Sequence, residues 1–561
     1  MKLLHFSETR AKRIAARAVS GSAGGRAPQL SRSPLAKSAP ATEPVEEGRT
    51  DPVPPARNAT AESAHGNGEG RPAPLPLLRS RSVAVLMFAA VSLAVLALGI
   101  YGMGRSLWLD EAWVANSVQA HSLAGMFYYP DWLQVNPPLF LLLARTTVRV
   151  LGASNAAFRA VPLLLAVAGA ASMLAVSRQL LSPSFAVLAT AIVAFDPAAI
   201  EYSRTLKPYS GEFAATAILL LSTVRYLQQP NRRRYFWLLA AVAVAMPLAY
   251  SAVFIVPGVV LIVGRRRRGA ILVSLAAGIL LGMYWFLIRP NVAPELHDFW
   301  AADADHGMTA GLWVALLFCL VAAIRIAFSM ARGKLEQRDW TVIICLLPCL
   351  LLAVSGALGL YPVSHRTRLF ALPCLTLLAL MMAEDLLRRW LKPIEVIAVA
   401  LAIGIAGHAA LAQAIEGRSA PEEDFAAAVR FLEPRVAPED LVLVHACCKE
   451  GFLLYSVVDE WNPPHILYGD TGWPCCARGK NARPGISTER AVTADLDAKI
   501  PRGYSGRVWL LFTTRPTEWT YVGLDEGELW RKHLWERGCP PGPYLRFQNL
   551  AVSPMDCVDA R

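Results

Sequence analysis

Leu107-Trp108-Leu109-Asp110-Glu111-Ala112-Trp113 sets two adjacent carboxylates among aromatic side chains, directly after the apolar run Val83 to Met103. That run is long enough to cross a bilayer, so the acids stand at a membrane edge. Charge beside hydrocarbon must be solvated or paired. The stretch therefore reads either as a solvated loop whose tryptophans anchor at the interface, or as a working site. The rest of the chain bears on that choice.

Of 561 residues, 54% are hydrophobic and only 17% charged. Several apolar runs approach bilayer length, which describes an α-helical polytopic membrane protein. The net charge of +12 does not point to nucleic acid. The arginines cluster between apolar runs, as topology signals do. Met1 to Ser20 carries Lys2, Arg10, Lys12, Arg13 and Arg17 without an apolar core, unlike a secretory signal. Gly21 to Arg81 is rich in Ala, Pro, Gly, Ser and Arg and cannot bury enough surface to order itself. Residues 1–82 are thus expected to be a disordered, basic cytoplasmic tail.

Basic clusters orient the spans of a membrane module over residues 83–413. Arg79 and Arg81 precede the first span and keep the N-terminus cytoplasmic, so Asp110 and Glu111 emerge on the outer face. Four cytoplasmic markers follow: Arg232 to Arg234; Arg265 to Arg268; Arg332, Lys334 and Arg338; and Arg388, Arg389 and Lys392. Between them lie Tyr235 to Gly264, two short spans broken near Tyr250-Ser251, then Ile271 to Ile288, Gly311 to Met330, Thr341 to Leu360 and Leu369 to Leu387. Ile394 to Leu411 then leaves the C-terminus outside. Upstream, Val161 to Leu181, Ser184 to Ala199 and Tyr209 to Leu227 complete about eleven spans. Parity puts residues 105–160 wholly outside, so Pro137 to Leu151 should be a juxtamembrane or re-entrant helix.

Three outer loops then collect the unusual polar residues. The first holds Asp110, Glu111, Asn136 and Arg159; the second, Glu201, Tyr202, Arg204, Lys207, Tyr209 and Glu212; the third, Tyr361 to Arg368, with His365, Arg366 and Arg368. Basic residues on an outer face run against the positive-inside tendency. They either cap helix ends and meet lipid phosphates, or form an anion site opposite the carboxylates. Arginine suits phosphate through its planar fork, lysine as a point charge.

Asp110-Glu111 after the first span resembles the first outer loop of the GT-C polytopic glycosyltransferases. Within them it is most similar to the bacterial branch related to protein O-mannosyltransferases and aminoarabinose transferases. Asn136-Pro137-Pro138-Leu139 stands where that branch reads His-Pro-Pro-Leu. Ala157 to Pro162 resembles its second-span start, Tyr202 to Tyr209 its Tyr-Ser loop, and Arg366 to Pro373 its late Arg-Tyr motif. Asn136 and Lys207 depart from the usual His and Arg. The resemblance spans about Val83 to Leu411.

It implies an inverting transfer from a polyprenyl-phosphate sugar to an envelope glycan, lipid or protein at a cell inner membrane. Asp110 would be the base, with Glu111 orienting the acceptor or tuning that base. Arg204, Lys207, Arg366 and Arg368 would clamp the departing phosphate. Arg159, Asn136, Tyr209 and His365 would help bind donor phosphate or sugar. Some relatives use a divalent metal and others do not, and no separate metal cluster stands out. A transporter or flippase is the rival reading, but those usually show inverted repeats and mid-membrane polar residues. A non-catalytic assembly subunit is the other.

Residues 414–561 change character. A helix Glu422 to Leu432 behind Pro421, strands Leu441 to His445 and Val508 to Thr513, a helix Glu526 to Arg537 and a strand Tyr544 to Val552 predict an extracytoplasmic α/β domain. Cys447, Cys448, Cys475, Cys476, Cys539 and Cys557 there argue for disulfides, with metal binding by the adjacent pairs as the alternative. Cys319, Cys345, Cys349 and Cys374 lie in spans and read as packing residues.

Overall fold

The computed structural model describes residues 81–129, 136–264, 269–291, 310–333, 335–361, 363–364, 366–387, 391–416, 422–463, 465–469, 489–514 and 525–557. The expected N-terminal tail, His365, Pro421, Cys475 and Cys476 lie outside them.

The chain is a multi-pass membrane protein, with helices at all eleven positions read as spans. The membrane module begins with α1 (Arg81–Ile100), then α2 (Leu109–Gln119), α3 (Leu123–Phe127), α4 (Pro138–Leu151) and α5 (Asn155–Leu180). It continues with α6 (Pro183–Ala194), α7 (Pro197–Ser203), α8 (Tyr209–Gln228), α9 (Arg232–Leu248) and α10 (Ala252–Gly264). Then come α11 (Gly269–Met283), α12 (Ala310–Ala331), α13 (Gln337–Ala357), α14 (Leu372–Leu386) and α15 (Leu391–Glu416). Among the described residues, five helical stretches are long and apolar enough to cross a membrane, or six if one bent pair is a single span.

That bent pair departs from the expected Ser184 to Ala199 rod. α6 and α7 meet at 59°. Pro197 has no N–H to continue α6 and is well placed to start a new helix, while Asp196 caps it by accepting from the Ala198 and Ala199 amides. The break expected near Tyr250-Ser251 lies between α9 and α10.

α5 is central, packing against α1, α4, α6 and α8. Gly169 allows its close contact with α8, because a Cβ there would sit 2.7 Å from the Phe213 ring. α4 is short, at 14 residues. It buries Phe140, Leu141, Ala144 and Val148. Its Arg145 turns inward and donates to the carbonyls of Val118 (3.0 Å) and His121 (3.3 Å), binding orphan acceptors at the end of α2.

The C-terminal region is α/β. Its elements are α16 (Phe425–Leu432), β1 (Leu441–Val444), α17 (Lys449–Val458), β2 (Ile466–Tyr468), α18 (Glu489–Lys499), β3 (Gly506–Thr513), α19 (Glu526–Glu536), β4 (Leu545–Phe547) and β5 (Leu550–Cys557). The sheet order is β2-β1-β3-β5-β4. β1 is parallel to β2 and β3, and β5 is antiparallel to β3 and β4. The single strand expected over Tyr544 to Val552 is a hairpin, turning at Asn549 with φ 54°. Helix α16 begins at Phe425, because the Asp424 side chain accepts from the Ala427 amide.

One apolar core runs through both regions. Leu107, Val114, Phe140 and Phe158 of the membrane module join Phe425, Val429, Phe452 and Tyr455 of the α/β region. The C-terminal region is therefore seated on the first loop rather than tethered beside it. Cys539 and Cys557 form a disulfide joining the segment after α19 to the end of β5. Cys447 is also disulfide-bonded, and Cys448 is a buried thiol whose pKa burial pushes up.

Candidate active site

The two carboxylates occupy the first turn of α2, where acids complement the exposed amides and dipole. They point to different fates. Glu111 is 1% exposed and meets Arg159, which is 4% exposed. Arg159 Nε donates to Glu111 Oε1 (2.9 Å) and Nη2 to Oε2 (2.5 Å). The remaining N–H groups of Arg159 reach the carbonyls of Met103 (3.0 Å), Arg105 (2.6 Å) and Ser106 (3.2 Å). All five guanidinium donors are thereby used. Glu111 Oε1 also accepts from the Leu206 amide (2.6 Å).

This clasp bears on two expectations. Arg159, expected to help bind donor phosphate or sugar, has all its guanidinium donors engaged within the clasp. Glu111, expected to orient the acceptor or to tune the base, is enclosed and holds three segments together: the first loop, the start of α5 and the loop before α8.

Asp110 faces the other way and retains 18% exposure. Its Oδ2 lies 3.1 Å from Lys207 Nζ. Lys207 sits in the loop between α7 and α8, 5.9 Å from the centre of the Trp108 ring. Burial lowers the pKa of this ammonium, and Arg366 lowers it further, while Asp110 and Glu111 favour its charged form. Arg366 thus stands within electrostatic reach of Lys207, although the third loop is far away in sequence. The phenol of Tyr202 lies near enough to Arg366, Asp110 and Tyr209 to interact with all of them. Tyr209, at the start of α8, packs its ring 4.6 Å from that of Tyr202.

The other expected residues are placed as follows. Arg204 is buried at the end of α7, and its amide donates to the Glu201 carbonyl (3.1 Å). Arg368 is exposed at the end of the third loop. That loop is tied by the Thr367 hydroxyl, which accepts from the Ser364 amide (2.8 Å). Asn136 is buried, and its backbone carbonyl accepts from the Tyr250 hydroxyl (2.9 Å). Its side-chain Nδ2 has no partner among the described residues. No group of three His, Cys, Asp or Glu side chains is placed to hold a metal among the described residues. Asp110 is the one acid of the pair that still has exposed surface to offer a cation.

Sequence reading missed the residues that hold the loop from the C-terminal side. The Tyr455 hydroxyl accepts from the Leu107 amide (2.7 Å) and donates to Asn155 Oδ1 (2.8 Å). Glu423 Oε2 accepts from the Leu109 amide (2.8 Å). Glu450 accepts from Asn116 Nδ2 (2.8 Å) and the Tyr129 hydroxyl (3.1 Å). Nothing near these residues in sequence signals a partner hundreds of positions away.

Residues 135–293 match the family described as dolichyl-phosphate-mannose-protein mannosyltransferase. No curated protein matches the chain. Among solved structures, the chain is similar to ArnT from Cupriavidus metallidurans in the apo state, at 13% identity and TM-score 0.49, covering 84% of this chain and 97% of that one. The same protein bound to undecaprenyl phosphate matches at 12% identity and TM-score 0.49, over 85% and 98%. The Archaeoglobus fulgidus oligosaccharyltransferase in the apo form matches at 12% identity and TM-score 0.45, over 81% and 73%.

Proposed function

We propose that this protein is an inverting glycosyltransferase that moves a sugar from a polyprenyl-phosphate donor to an envelope glycan, lipid or protein. The site would face outward from a cell inner membrane, with the N-terminus cytoplasmic and the C-terminal region outside. The observation that carries this reading is the charge balance around Asp110. One half-open carboxylate meets Lys207, with Arg366 close behind, while Glu111 is neutralised by Arg159. The open part of the site is therefore net cationic but contains a base. The mannosyltransferase match over residues 135–293 supports the same class of chemistry.

In the proposed step, the acceptor hydroxyl attacks the anomeric carbon and its proton passes to Asp110. The bond between that carbon and the phosphate oxygen breaks, and the phosphate leaves with both electrons. Lys207 and Arg366 stabilise the charge that develops on it, with Arg204 and Arg368 completing the basic loops. Donor binding also activates the base. A phosphate at Lys207 draws the ammonium from Asp110 and raises the basicity of the carboxylate. Tyr209 and Asn136 remain candidates for the sugar side, and the prenyl tail would lie between spans.

The test is turnover by the purified full chain supplied with lipid-linked sugars extracted from membranes. Mass spectrometry should show loss of glycosylated polyprenyl phosphate and appearance of the bare polyprenyl phosphate with a glycosylated acceptor. A donor pool that stays intact with every acceptor fraction would contradict the reading.

A further inference from the structure

α8 and α9 form an antiparallel pair joined at Gln229-Pro230-Asn231. At that turn lies a cleft of 900 Å³. It is far from Asp110: residues 209 and 225 of α8, at about 1.5 Å per residue, are about 24 Å apart. The cleft therefore belongs to the opposite edge of the bundle, the cytoplasmic one in the topology proposed above.

Its two parts differ in chemistry. Leu221 of α8 and Trp237 and Val244 of α9 give it apolar walls, while Arg225, Arg233 and Arg234 stand at its mouth. On α9, residues 233, 237 and 244 recur at helical spacing and so share one face. Among the described residues, no Asp or Glu lines the cleft. Arg234 Nη1 donates to the Arg225 carbonyl (2.5 Å), bracing the mouth across the turn. Arg225 and Arg233 are exposed. Trp237 is 59% exposed, in the position of an interfacial anchor.

We propose that this cleft binds an anionic phospholipid, with the headgroup phosphate at Arg225, Arg233 and Arg234 and an acyl chain between Leu221, Trp237 and Val244. A free phosphate ion satisfies the mouth but leaves the apolar slot unused. A zwitterionic lipid brings its own cation against three arginines. Basic pockets between spans on the cytoplasmic side favour anionic headgroups by charge alone, and three arginines together supply about a hundredfold preference.

The test uses the purified, delipidated full chain, titrated with phosphatidylglycerol or phosphatidylcholine and read by native mass spectrometry. The wild type should retain one phosphatidylglycerol about a hundredfold more strongly than phosphatidylcholine, and inorganic phosphate should not displace it. Arg233→Gln, an exposed change that leaves the fold intact, should weaken retention severalfold. Ser222→Trp, which fills the cleft without altering charge, should abolish it. Equal retention of the two lipids overturns the proposal. So does displacement by inorganic phosphate, or retention unchanged in both variants.

Discussion

Two adjacent acids in this chain have different surroundings because their partners differ. Glu111 is enclosed with Arg159, and Asp110 is left at an opening beside Lys207. Both carboxylates were legible in the sequence as residues that a membrane edge must solvate or pair. Which of them is enclosed was not, because residue type does not reveal which carboxylate finds a fully engaged arginine. Arg159 looked like a phosphate ligand for the same reason. Removing it tests the clasp: Arg159→Ala strands a buried carboxylate, at a cost of about 3–5 kcal/mol. A large loss of thermal stability in detergent is expected, partly recovered in the double variant Glu111→Leu/Arg159→Met, which replaces the pair with apolar groups. A wild-type melting temperature for Arg159→Ala would mean that the clasp does not hold the loop.

At the scale of elements, the apolar runs located the helices, because apolar runs are written directly in composition, while among the described residues five or six of them reach bilayer length. The Asp196-Pro197 signal was also present, yet it was absorbed into one apolar run, so the kink between α6 and α7 was missed. Long-range seating was illegible for a different reason. The hydroxyl of Tyr455 bonds Leu107 across 348 positions of sequence, and no local pattern encodes such a pairing. That contact makes α17 a support for the loop that carries Asp110. Tyr455→Phe deletes the hydroxyl, leaves the buried Leu107 amide unsatisfied and should cost about 1–3 kcal/mol. Turnover should also fall roughly tenfold to a hundredfold as Asp110 loses its fixed position. Unchanged stability and turnover together would show that the C-terminal region does not brace the site.

Across the whole molecule, the helical bundle sets a cationic loop cluster at one edge and a separate basic cleft at the other, joined by α8. The proposed orientation follows from arginine clusters, and it is testable in intact cells. A cysteine placed at exposed Arg368 should react with an impermeant reagent from outside, and one at exposed Asn231 should not; the reverse would invert every loop. The most direct measurement of the central claim is turnover of lipid-linked sugar by purified Asp110→Asn. This variant keeps the shape of the side chain but cannot take the acceptor proton. It should melt near the wild-type temperature and turn over about two to four orders of magnitude more slowly. Wild-type turnover in Asp110→Asn would contradict the assignment of Asp110 as the base.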